Sequence, residues 1–184
     1  MRVSVALERV AIAVASVLLS VGLIALLSGY FAGKDPANVT GTATPVGEQF
    51  RDLGHAALRP GQPHPTYDSQ PPTSGAHVPE PVRTDEARLN DDQLLQAVQE
   101  GNVVIMYGTR QPPPGLKKLA STVTGGPFSP ALAAAGQAVI LARRPGTVGL
   151  IGVAWTHLVH VSAPNDSLLG EFAQYWLGRG APTG

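Results

Sequence analysis

The stretch "VAIAVASVLLSVGLIALLSGYFA" at residues 10–32 runs for 23 residues without a charge. As a helix it would reach about 34 Å at ~1.5 Å per residue, enough to cross the hydrocarbon core of a bilayer. In lipid a single spanning segment must satisfy its own backbone N–H and C=O groups, which only a helix does. A single transmembrane helix is therefore expected over residues 10–32. A cleaved leader fits less well, because the run is too long and small residues do not fall at the −3 and −1 positions beyond it. Arg2 and Arg9 precede the run, and Lys34 is the only basic residue close behind it. Residues 1–9 are thus expected in the cytoplasm and the rest of the chain outside. Tyr30 and Phe31 stand where interfacial aromatics belong. Ala11/Ala15, Ser16/Ser20 and Ala25/Gly29 share the small-xxx-small spacing that lets helices approach closely. Transmembrane helices of a larger complex are the partners this spacing suits.

Past the run, composition narrows the function classes. The chain of 184 residues has 13 basic and 13 acidic side chains, a net charge of zero, and only 14% charged residues. That balance offers no basic face for nucleic acid. The absence of cysteine excludes disulfides, thiolate catalysis and cysteine metal clusters. Residues 33–44, "GKDPANVTGTAT", read as a linker. Residues 45–184 read as one extracytoplasmic α/β domain, whose first part, to residue 81, is rich in Pro, Gly and His with little periodicity. That part is expected to lie as ordered loop over the domain.

Regular structure is predicted after residue 85. Asn90 or Asp91 caps a helix with Leu94, Leu95 and Val98 on its apolar side, and Gly101 stops it. "NVVIMYG" follows as a strand buried on both faces. "PPPGLKKLAST" predicts a helix with prolines in its first turn and Leu116, Leu119 and Ala120 inward. Residues 138–142 form a second apolar strand. Residues 148–161 form a long strand or a kinked pair, broken near Trp155 and Thr156. Asn165 or Asp166 caps a last helix burying Leu168, Leu169, Phe172, Tyr175 and Trp176. A strand–helix–strand unit implies a parallel right-handed crossover, with the next strand antiparallel. The fold class is α+β: a small mixed sheet packed by helices. Its β-α-β-β-α order is similar to the C-terminal portion of thioredoxin-like folds.

The polar residues worth weighing include five histidines. His157 and His160 are an odd number apart on a strand, so they face opposite sides and do not chelate together. His64 in "PHPTY" reads as loop surface. His55 and His77 sit in turn-rich sequence that can fold back over the domain. His77 ends "PPTSGAH", where Pro71 and Pro72 fix φ and remove donors while Thr73, Ser74 and Gly75 form a turn. Ser74 near His77 raises a nucleophile and base, but no nucleophile elbow or acidic pair accompanies them. No phosphate loop or dinucleotide fingerprint is present, and the chain is not expected to be an enzyme.

"LGHAALRPGQPHPTYDSQPPTSGAH" resembles the signature of domain-of-unknown-function family 3105, bacterial proteins often carrying an N-terminal membrane anchor. The shared elements are His55, Tyr67 and the block from Pro71 to His77. Farther on, "QAVQEGNVVIMY" stands in place of the family's HxLEHG helix and strand, and Ala154-Trp155-Thr156 in place of its Ala-Trp-Gly. The resemblance runs from about residue 52 to 176. It implies a helix with two histidines one turn apart, a spacing suited to a metal ion. Here Gln96 and Glu100 occupy those positions, Gln99 replaces the intervening glutamate, and Ala76 replaces a proline. An amide and a carboxylate are poor substitutes for imidazole toward zinc or copper. The set the resemblance leaves is His55, His77 and Glu100, a two-His-one-carboxylate arrangement for zinc. The expectation is a degenerate site with no cofactor, in which His77 approaches Glu100. The function expected is that of a membrane-anchored accessory or interaction protein, with cell-envelope metal binding or delivery as the alternative.

Overall fold

Asn90 starts the first helix by a reciprocal bond pair: its side chain accepts from Gln93 N, and the Gln93 side chain accepts from Asn90 N. Helix α1 (Asp91–Glu100) ends at Gly101, whose φ of 108° lets its N–H turn back onto the last carbonyls. The computed structural model describes residues 45–182. The predicted segments at 1–9, 10–32 and 33–44 lie outside them. Among the described residues no helix is long and apolar enough to cross a membrane.

Strand β1 (Glu48–Gln49) precedes α1, and β2 (Val103–Tyr107), helix α2 (Leu116–Thr124) and the short helix α3 (Pro130–Ala134) follow it. Then come β3 (Val139–Arg143), β4 (Leu150–Ala154), β5 (His157–Val161) and helix α4 (Ser167–Trp176). The sheet order is β1-β5-β4-β2-β3. Only β2 and β3 run parallel, joined by α2 and α3; every other neighbour pair is antiparallel. The expected mixed α+β sheet is present, with parallel crossover and antiparallel return.

The sheet is covered on both faces, which is why β2 is buried at every residue. Val104, Met106, Ile140 and Val153 pack with Leu94 and Val98 of α1 and Ala133 of α3. Val103, Ile105, Tyr107 and Leu141 pack with Leu116 and Ala120 of α2 and Leu169 and Phe172 of α4. The alternation along β2, β3 and β4 sends successive buried residues to opposite layers.

Three expectations change. Helix α2 begins after its prolines, because Gly115 at φ 92° turns the chain and Leu116 is the first helical residue. Residues 150–161 form a hairpin whose break falls at Trp155 and Thr156 as expected, but as a two-residue turn with Thr156 at φ 58° that pairs the strands antiparallel. On α4, Leu169, Phe172 and Ala173 are buried while Leu168 is exposed and Tyr175 and Trp176 are half-buried. Residues 169, 172, 173 and 176 form one helical stripe, and Leu168 stands off it.

Strand β3 is an edge, and its outer side is covered by irregular chain. Asp85 Oδ1 accepts from Leu141 N at 2.8 Å, Glu86 N donates to Leu141 O at 2.8 Å, and Arg143 N donates to Ala87 O at 2.8 Å. Thr124 Oγ1 accepts from Val139 N at 3.0 Å. An edge covered in this way offers no free ladder to another chain.

Candidate functional site: the buried proline-rich latch

The segment "PPTSGAH" turns inward. Pro71, Pro72, Thr73, Ser74, Gly75 and His77 are all buried, and Thr73 and Ser74 are fully so. A buried backbone without helix or sheet must find partners elsewhere. Here those partners come from two distant segments. Ser74 Oγ donates to Arg51 O at 2.9 Å and accepts from Leu53 N at 3.0 Å. Gly75 N donates to Gly54 O at 2.8 Å, His77 N to Ala56 O at 3.2 Å, and Leu58 N to His77 O at 2.8 Å. On the opposite side Thr73 O accepts from Thr156 N, in the β4–β5 turn, at 3.0 Å. The block therefore latches residues 51–58 to the hairpin.

Tyr67 closes over this latch. Its hydroxyl donates to Ala76 O at 3.0 Å. A Cβ on Gly75, whose φ is 132°, would stand 2.7 Å from the Tyr67 ring. Glycine is required there by both backbone and space. Burial, then Asp92 and then Asp91, push the Tyr67 hydroxyl up to about 12, so it stays a donor at any ordinary pH.

Asp92 joins the latch to α1. Its Oδ1 accepts from Val78 N at 2.7 Å and lies 2.8 Å from His64 Nε2. Asp92, Gln96 and Glu100 are spaced one turn apart, so they share one face of α1. The loop meets that face at its first turn, where Asp92 receives it.

The residues singled out from sequence go to different partners. His77 Nδ1 lies 2.9 Å from Gly75 O, and because a carbonyl only accepts, Nδ1 carries the proton. Glu100 Oε1 accepts from Gln96 Nε2 at 2.8 Å, along its own helix, and not from His77. His55 is exposed and sets its ring edge-on to Trp155 at 6.0 Å between centroids. Trp155 Nε1 donates to Asp52 Oδ2 at 3.2 Å. Among the described residues no three His, Asp or Glu side chains form a group that could hold a metal ion. His55, His77 and Glu100 do not make the donor set that the resemblance implied.

His157 and His160 do point to opposite faces. His160 is exposed, while His157 is buried and stacks on Trp176 at 3.9 Å and 29°. His157 Nδ1 lies 3.1 Å from Trp155 O, and its Nε2 is buried with no partner among the described residues. Burial lowers its pKa, outweighing the bond to Trp155 O.

Sequence reasoning missed Asp92, Asp52 and the Ser74 hydroxyl's double role. Asp92 carries a faint signal, an acid in a first helical turn, but that position has a sufficient explanation in the helix dipole.

A family model, Protein of unknown function (DUF3105), matches residues 62–183. The chain belongs to the DUF3105 family. No curated protein and no solved structure matches it. The DUF3105 match takes in Tyr67, the whole latch block, α1, the Trp155–Thr156 turn and α4. It begins past His55.

Proposed function

We propose that this DUF3105 chain is a membrane-anchored extracytoplasmic accessory protein, held by residues 10–32 and working beside a larger membrane complex. The observation that carries the reading is the use made of the signature's polar groups. Ser74 Oγ donates to one backbone carbonyl and accepts from one amide, where a nucleophile would face substrate, and among the described residues His77 belongs to no group of three metal-ligating side chains. A module built this way presents a surface on a braced frame, and the uncharged run before it supplies the tether. Small-xxx-small spacing within that run suits contact with neighbouring helices.

Extraction of native membranes in mild detergent tests the proposal. The protein is expected to remain with the membrane after a carbonate wash, to keep residues 10–32 by N-terminal sequencing, and to copurify with other membrane subunits. Recovery as a solitary, stoichiometrically metal-loaded monomer would overturn the accessory reading in favour of metal delivery. A mature chain beginning beyond residue 32 would overturn the anchor.

A further inference from the structure

A cavity of about 370 Å³ lies between α2 and the irregular segment that covers β3. Its size is at the small end of ligand pockets, and its make-up is of the usual kind, an apolar wall with a few polar groups. Val139 and Leu141 of β3 form one side and Phe128 contributes an aromatic face. Asp85, Glu86, Lys117 and Lys118 supply the charge. These charges are not equivalent. Lys117 is largely exposed and is already spent on Glu86, with Nζ beside Oε1 at 2.6 Å. Asp85 is half-buried, its Oδ1 accepts the Leu141 N–H, and among the described residues it enters no ion pair. Burial raises the Asp85 pKa, outweighing its backbone bonds and the pull of Lys117, and Glu86 adds to the rise. Glu86 beside it holds a left-handed backbone at φ 59°, uncommon outside glycine.

We propose that this cavity binds a small organic amine, with its ammonium against Asp85 and its aromatic or branched aliphatic body against Phe128, Val139 and Leu141. The ammonium supplies the countercharge that Asp85 lacks, and a charge-assisted bond in a partly desolvated site is stronger than a neutral one. The body covers apolar wall otherwise wetted. A carboxylate ligand would meet Asp85 and Glu86 at close range and find Lys117 already paired, with the solvent-exposed Lys118 as its remaining countercharge. The inference is independent of the membrane role.

The test uses the full chain in lipid nanodiscs with 4-phenylbutylamine as probe, and 4-phenylbutyrate and 4-phenylbutanol as charge controls. Amide NMR shifts at Ser121, Val139 and Leu141 report occupancy. The amine is expected to give saturable shifts there, with the acid and the alcohol weaker by about tenfold or more. Asp85→Asn keeps an acceptor for Leu141 N–H and removes the charge, so it should weaken the amine by about tenfold while leaving the alcohol unchanged. Ser121→Phe, on the α2 side of the cavity, should block all three probes and serves if Asp85→Asn fails to fold. Equal binding of amine and acid, amine binding unaffected by either variant, or shifts confined to other regions would each overturn the proposal.

Discussion

Gly75 sits where the latch, Tyr67 and the 51–58 segment converge, so it concentrates the cost of any added atom. Its φ of 132° and the 2.7 Å approach of the Tyr67 ring act together. Gly75→Ala should lose about 2–4 kcal/mol in urea denaturation. Gly54 provides the comparison: φ is 75° and nothing lies within 4 Å of the added Cβ, so Gly54→Ala should lose only about 1 kcal/mol. Equal losses would mean that the ring does not rest on Gly75. The difference explains why the block is recognisable as a string of letters. Each of its residues packs or bonds in a way its neighbours cannot. Ser74 ties two backbone groups, Gly75 admits a ring, and His77 bridges Ala56 and Leu58. The histidine most like a ligand in sequence commits its Nδ1–H to a carbonyl two residues away, a local bond that no spacing rule signals.

The elements were legible in proportion to how local their causes are. Helix α1 carries its cap, its apolar stripe and its terminal glycine within a dozen letters, and β2 declares itself by unbroken burial. The hairpin turn at Trp155 and Thr156 was only half legible, because neither residue is a usual donor of left-handed backbone. Strand β1 has two residues and exists through its partner β5. The 85–87 cover of β3 is irregular chain with no period to read. Asp92 was invisible for the same reason, since its partners lie 14 and 28 residues away. Helix α4 shows how tertiary fit trims a correct assignment. The ring of Phe172 is wedged against Gly47 beside β1 and Gly152 of β4, where an added Cβ would stand 2.8 and 3.1 Å from it. Phe172→Ala should therefore cost about 3–5 kcal/mol by thermal or chemical denaturation. A loss under about 1 kcal/mol would mean that the helix is not docked on those strands.

For the whole molecule, one buried histidine adds a sensitivity to acid. Burial holds His157 neutral, with its pKa below the ordinary histidine value of about 6.5 in spite of the bond to Trp155 O. The unfolded chain binds this proton more readily than the folded one, so stability from this group is complete above about pH 6.5 and declines as pH falls below it. Denaturation midpoints at pH 7.5 and 5.5 should differ in that sense, and His157→Gln should flatten the difference; an unchanged slope would assign it to other groups. The pairing pattern also dictates an order of events. Val46 O accepts from Trp176 Nε1 across 130 residues, and Asp52 from Trp155 across 103. The first described segment is therefore completed by the last helix. On a ribosome, residues 46–50 emerge early and must wait, unpaired, until β5 and α4 have been made. Closing so long a loop puts this step late in folding, and until then the margin of the sheet at β5 stays open to whatever chain is near.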